Sequence, residues 1–241
     1  MKSYVVGGLL SLVFCFPVFA EKVVREVSVK LTKAFAPEGY DTDDSVEIMV
    51  VAKLPSSCFK LSAVSTALKS SQEVLVSLKA NEFSGTCHTS PSPVPVVVSL
   101  GRLSQEGVYR VLDGSSRNEL GSFRVKKAPK AGHGTDGVLY PLILDSYLDW
   151  RGNSVKLHIA GVFADDCQEI KKITYDTQEN VLVVLPEVDH PEGPKCQKGM
   201  YPFEKDFEVT AEIPAKAFLL HVRSMHGRSI NKLVFPPETR K

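Results

Sequence analysis

The sequence is short of several things, and each shortage excludes something. It has one tryptophan, five cysteines and a formal net charge of only +1 across 241 residues. With 29 basic residues against 28 acidic ones, it lacks the positive surface that nucleic acid or an anionic membrane would require. No apolar run reaches the ~20 residues needed to cross a bilayer, so no transmembrane segment is expected. The six histidines form neither H-x-x-x-H nor H-E-x-x-H, and no cysteine pair has C-x-x-C spacing, so a zinc centre has no ligand set. A G-x-S-x-G elbow is missing as well, which leaves a serine hydrolase without its nucleophile. These absences lead to the expectation of a non-enzymatic protein without metal or cofactor.

What is present begins with an address. Lys2, an apolar run from Tyr4 to Phe16 and the ending Val18-Phe19-Ala20 have the order of a secretory signal peptide. Cleavage after Ala20 removes Lys2 and Cys15, leaving 28 basic residues, 28 acidic residues and four cysteines: Cys58, Cys87, Cys167 and Cys196. Export to the periplasm or the extracellular space is expected, and an even cysteine count there reads as two disulfides.

The chain is also written twice. At a shift of 109 residues Cys58 falls on Cys167 and Cys87 on Cys196, so both pairs share a spacing of 29. Val46, Ile48 and Val50 fall on Val155, Leu157 and Ile159, while Val74 and Val76 fall on Val183 and Leu185. Tyr109 and Val111 fall on Phe218 and Leu220. A self-contained module pairs its own cysteines, which selects Cys58–Cys87 and Cys167–Cys196 from the three possible pairings. The stretch around Lys130-Ala131-Gly132-His133-Gly134 has no apolar period and reads as a linker. Its match to G-x-G-x-x-G lacks the strand-to-helix setting that a dinucleotide site needs. The expected organisation is a signal peptide at 1–20, module one at 21–128, a linker at 129–136 and module two at 137–241.

Within each copy the dominant signal is period-two alternation, as in Val74-Leu75-Val76-Ser77-Leu78 and Phe207-Glu208-Val209-Thr210-Ala211. About seven strands per copy are expected, near 24–34, 45–54, 60–67, 73–80, 94–101, 107–112 and 120–126 in the first. The third of these competes with helical spacing at Leu61, Val64 and Leu68. Seven short strands in about 105 residues make an all-β fold of two tandem immunoglobulin-like β-sandwich domains, each with one disulfide. Trp150 is placed in a turn, so the tryptophan of an antibody-type core is missing.

Two sets of residues carry a resemblance. Asp166-Cys167, Cys196 and Pro202-Phe203-Glu204 in copy two, with Gly107-Val108-Tyr109-Arg110-Val111 and Asp113-Gly114 in copy one, resemble a small β-sandwich module of bacterial exported proteins and lipoproteins. The resemblance implies no catalytic residues.

Function is expected where the copies differ. Residues 88–95 carry Pro91, Pro93 and Pro95, and read as a stiff loop; their counterparts at 197–203 include Tyr201 and Phe203. The turn at Asp41–Asp44, a candidate calcium loop judged to be a solvated turn, faces Trp150–Asn153 in the other copy. Trp150, Tyr201, Phe203, Pro91 and Pro93 are therefore the candidate binding residues, since exposed aromatics dominate interface energetics. The expected partner is a protein or glycan of the envelope or extracellular space. The alternative is a secreted protease inhibitor acting through the stiffened loop.

Overall fold

The computed structural model describes residues 23–89, 92–128, 138–152, 154–189, 195–225 and 228–237. The expected signal peptide (1–20), the expected linker (129–136) and Pro91 lie outside the described residues. The chain is all-β, with no helix among those residues and hence none long and apolar enough to cross a membrane. The strands are β1 (Val23–Phe35), β2 (Tyr40–Asp41), β3 (Ser45–Leu54), β4 (Phe59–Ser70), β5 (Glu73–Phe83), β6 (Ser92–Arg102), β7 (Gly107–Asp113) and β8 (Glu119–Lys126). They continue with β9 (Leu142–Arg151), β10 (Ser154–Asp165), β11 (Glu169–Gln178), β12 (Val181–Asp189), β13 (Lys198–Glu208), β14 (Phe218–Arg223) and β15 (Ser229–Val234).

Strand pairing stays within β1–β8 and within β9–β15, and the same pattern appears in both sets. β3 pairs β6, β4 pairs β5, β5 pairs β7 in parallel and β7 pairs β8; β10·β13, β11·β12, β12·β14 and β14·β15 repeat those four relations. The sets diverge at their first strands. β1 pairs β5 through Val29 and then, from Lys30, pairs β3, so it passes from one layer to the other. β9 instead forms a simple hairpin with β10. Each set encloses an apolar core between its layers. One contains Val46, Ile48, Val76, Leu78, Tyr109 and Phe123, and the other Leu157, Ile159, Leu182, Val184, Phe218 and Leu220.

Both disulfides are those selected by the repeat. Cys58–Cys87 and Cys167–Cys196 have Cα separations of 5.3 and 5.6 Å. Each ties the start of one hairpin strand to the segment after its partner, closing the open end of β4–β5 or β11–β12.

The strand expected near 60–67 is present as β4, despite the helical spacing at Leu61, Val64 and Leu68. Several other sequence expectations need correcting. Pro93, Pro95, Tyr201 and Phe203, read as loop residues, lie inside β6 and β13. Proline is tolerated in β6 because that strand is an edge, paired only to β3. Trp150 belongs to strand β9 and pairs with Val155, not to a turn. The alignment of Val74 and Val76 with Val183 and Leu185 is one residue off. Val74 and Val76 face their core, and the core positions of β12 are Leu182 and Val184. The slip arises because the β4–β5 ladder shifts register between Leu68 and Ser70, whereas β11–β12 runs without a break to Gln178↔Val181. A one-residue slip exchanges the faces of a strand.

Candidate functional site

The candidate residues do not gather at one place. Trp150 is half-buried and packs against the second core. Phe203 is also half-buried against that core, and it stacks on Phe163 with ring centroids 4.2 Å apart. Tyr201 pairs with Phe163 in the β10–β13 ladder, eight positions along β10 from Val155, the partner of Trp150. That separation is roughly 26 Å of strand. Pro93 is exposed in the other half of the chain, opposite Lys53. Tyr201 and Phe203 are neighbours on one strand, while Trp150 and Pro93 stand apart from them.

The acidic turn at Asp41–Asp44 and the other titratable clusters serve local structure. Asp41 Oδ1 accepts from the Asp43 amide at 2.8 Å, and Asp44 Oδ2 from the Asp41 amide at 3.0 Å, so this acidic turn binds its own backbone. Asp165, Cys167 and Cys196 have potential ligand atoms within 4.8 Å of one another, but both sulfurs are in the disulfide and no thiolate is left to bind metal. His158 stacks on Tyr147, and its Nδ1 lies 2.8 Å from Asp206 Oδ1. That contact is the main reason the Asp206 carboxyl titrates below its usual range.

A buried seam between the two halves was not legible as such in the sequence. Phe35, Met49 and Val51 of the first half form one apolar cluster with Val181, Val183 and Leu219 of the second. β3, β12 and β14 are therefore buried on both faces, with alternate residues entering their own core and the seam. Polar contacts rim the cluster. Glu47 Oε2 accepts from Ser229 Oγ at 2.9 Å and from Asn231 Nδ2 at 3.2 Å. Since Nδ2 of Asn231 donates to Glu47, its Oδ1 is the acceptor, and His221 Nδ1 donates to it at 2.7 Å. Arg223 Nη2 lies 3.8 Å from Asp44 Oδ1.

His221, on β14, is only 2% exposed. Burial lowers its pKa from 6.5 to about 4, with Arg223 adding to the shift and the bond to Asn231 opposing it. An unfolded chain takes up this proton near pH 6.5, while the folded chain resists until about pH 4. The stabilisation is complete above 6.5 and is lost as pH falls through that window. The loss should reach on the order of 3 kcal/mol. His221→Gln, which does not titrate, should flatten this acid limb in urea-unfolding midpoints; equal pH dependence in both proteins would refute the assignment.

A crevice of about 300 Å³ opens at the seam, lined among others by Glu38, Tyr40 and Lys126 of the first half and Asp176, His221 and Arg223 of the second. Gln178 pins one wall: its Oε1 accepts from the Glu38 amide at 2.7 Å and its Nε2 donates to Asp176 Oδ2 at 2.6 Å. Tyr40 is held at the back by its hydroxyl, which donates to the Glu47 carbonyl at 2.8 Å. Two carboxylates, two cations and an amide thus share one opening built by both halves. The sequence signal for the seam was the continuous apolar runs Ile48–Ala52, Val181–Leu185 and Phe218–Leu220, because a strand buried on both faces loses its alternation.

Comparison with known proteins finds no match: no family model fits the chain, and no curated protein and no solved structure matches it.

Proposed function

We propose that the chain is an exported, non-catalytic binding protein of two immunoglobulin-like β-sandwich modules, and that its seam crevice holds a charged glycan of the envelope or extracellular space. The observation that carries this reading is the composition of the crevice, in which both halves contribute polar groups of both signs around one opening. Ligand sites favour module boundaries and use a few placed polar groups to orient what they bind. Carboxylates and an amide suit sugar hydroxyls, and Lys126 and Arg223 suit an acidic substituent. The two disulfides fit an oxidising compartment. The inhibitor alternative is left a shorter stretch than the sequence suggested, since Pro93 and Pro95 are laddered to β3.

A screen of neutral and acidic oligosaccharides, followed by calorimetry, tests the proposal. An acidic glycan should bind, and Arg223→Ala should weaken it by about ten- to a hundredfold, the loss of one hydrogen bond to a charged group. A protein that binds no member of the screen, or one whose affinity is untouched by Arg223→Ala and Asp176→Ala, would refute it.

A further inference from the structure

Unpaired strand edges invite pairing with another chain, and folded proteins blunt them with proline or charge. β6 carries Pro93 and Pro95, and β13 carries Pro202, Lys205 and Asp206. β11 carries Lys171, Lys172 and Asp176. Among the described residues β4 also pairs on one side only, with β5, and its charges, Lys60 and Lys69, stand at its ends, so that Leu61-Ser62-Ala63-Val64-Ser65-Thr66-Ala67-Leu68 contains neither device. Every residue of it after Leu61 is exposed.

The face of β4 is unfinished as well as its edge. Val64, Thr66 and Leu68 pair with Leu78, Val76 and Val74, which places them on the core side of the sheet. Even so, Val64 is 45% and Leu68 60% exposed. Their counterparts in the second half, Ile173, Tyr175 and Thr177, meet the chain itself. Tyr175 Oη donates to the Glu208 carbonyl at 3.1 Å and Thr177 Oγ1 to the Glu212 carbonyl at 2.7 Å. Ile173 and Tyr175 pack on the second core together with Phe207, Val209, Ala211 and Ile213. In the first half the matching stretch stays in β6 as far as Arg102, and the strip is left open.

We propose that a second copy of this chain completes β4, by antiparallel β4–β4 pairing across a two-fold axis through Thr66. Residues opposite each other in such a pair share a face, so the core-side positions must meet core-side positions. With the axis at Thr66, Val64 meets the partner's Leu68, and Thr66 meets the partner's Thr66. On the other face Ser65 meets the partner's Ala67 and Lys69 meets the partner's Ala63. No like charges are opposed, and the exposed aliphatic residues meet each other. The regular stretch from Ala63 to Leu68 supplies about six backbone hydrogen bonds. A two-fold contact of this kind is closed, consuming both open edges and leaving none for further growth.

The experiment uses the mature disulfide-bonded chain in sedimentation and light scattering. The expected result is a concentration-dependent shift to twice the mass of one chain. Thr66→Lys places two ammonium groups across the axis and should return the protein to monomer with its circular dichroism and melting curve intact, since Thr66 is exposed. Thr66→Cys should yield a covalent dimer under oxidising conditions, while Val97→Lys, on the β6 edge, should leave the dimer unchanged. A chain that stays monomeric up to its solubility limit overturns the proposal, including one that accepts only a foreign peptide strand at β4. So does a dimer that survives Thr66→Lys. The glycan screen reads a different site, so either result leaves the other reading standing.

Discussion

Replacing Cys58 and Cys87 by serine will cost about 3.5 kcal/mol of unfolding free energy, and replacing Cys167 and Cys196 the same amount. Each disulfide spans 29 residues, and closing a loop of that size removes a comparable conformational entropy from the unfolded chain. The losses should be near-additive in the fourfold variant, about 7 kcal/mol, because the bridges close different hairpins. Small domains stand only about 5–15 kcal/mol above unfolding, so the fourfold variant should be poorly folded at body temperature. Each bridge lies beside a backbone contact that holds the same hairpin end: Phe83 N donates to Cys58 O at 2.9 Å, and Asp166 N to Gln197 O at 3.3 Å. Urea unfolding of the two double variants checks the figure. A loss below about 1 kcal/mol in both would mean that these contacts already restrict the unfolded ends, and the entropy argument would fail.

Leu219→Ala should be nearly as severe. The side chain is fully buried on β14 and belongs to the seam cluster with Met49 and Val51 of the other half. Truncating a buried leucine costs about 2–5 kcal/mol, the upper part of that range applying where neighbours cannot collapse into the space. Here the neighbours are residues of two laddered sheets, which move little. The denaturation midpoint should fall with an unchanged slope. Met49→Ala combined with Leu219→Ala should show a coupling of about 0.5–3 kcal/mol, since the two belong to one cluster. Strict additivity of the pair would show that the halves do not pack together in solution.

The strands were legible in the sequence to within a few residues, because alternation of buried and exposed positions is a local property of each segment. Val74, Val76 and Leu78 announce β5 by their spacing alone. β2 was not foreseen, since two residues have no period, and Tyr40–Asp41 is a strand only because β8 lies beside it. β4 gave a mixed signal because its face is largely uncovered, so burial exerted little constraint on which of its positions are apolar. The proline-rich stretch was read as a loop because proline breaks a central ladder; at an edge the missing amide faces outward and the strand survives.

The candidate site was harder to read. Trp150, Tyr201 and Phe203 stood out as aromatic residues not shared by the two copies, but whether a side chain is exposed depends on what packs above it, and Trp150 and Phe203 lean on the second core. His221 and Glu47 gave no sequence signal at all. Glu47 looks like the outward residue of an alternating strand, and so it is, except that outward from β3 is the seam.

The sequence by itself determined the all-β class, the repeated order of the strands and the pairing of four cysteines, because each follows from spacing along one chain. Only the tertiary structure decided that Met49, Val183 and Leu219 meet, that a crevice with polar groups of both signs opens beside them, and that β4 lacks the cover β11 receives. Those outcomes depend on which face of one sheet rests on which face of another, and a pattern of period two names two faces without saying what each will touch.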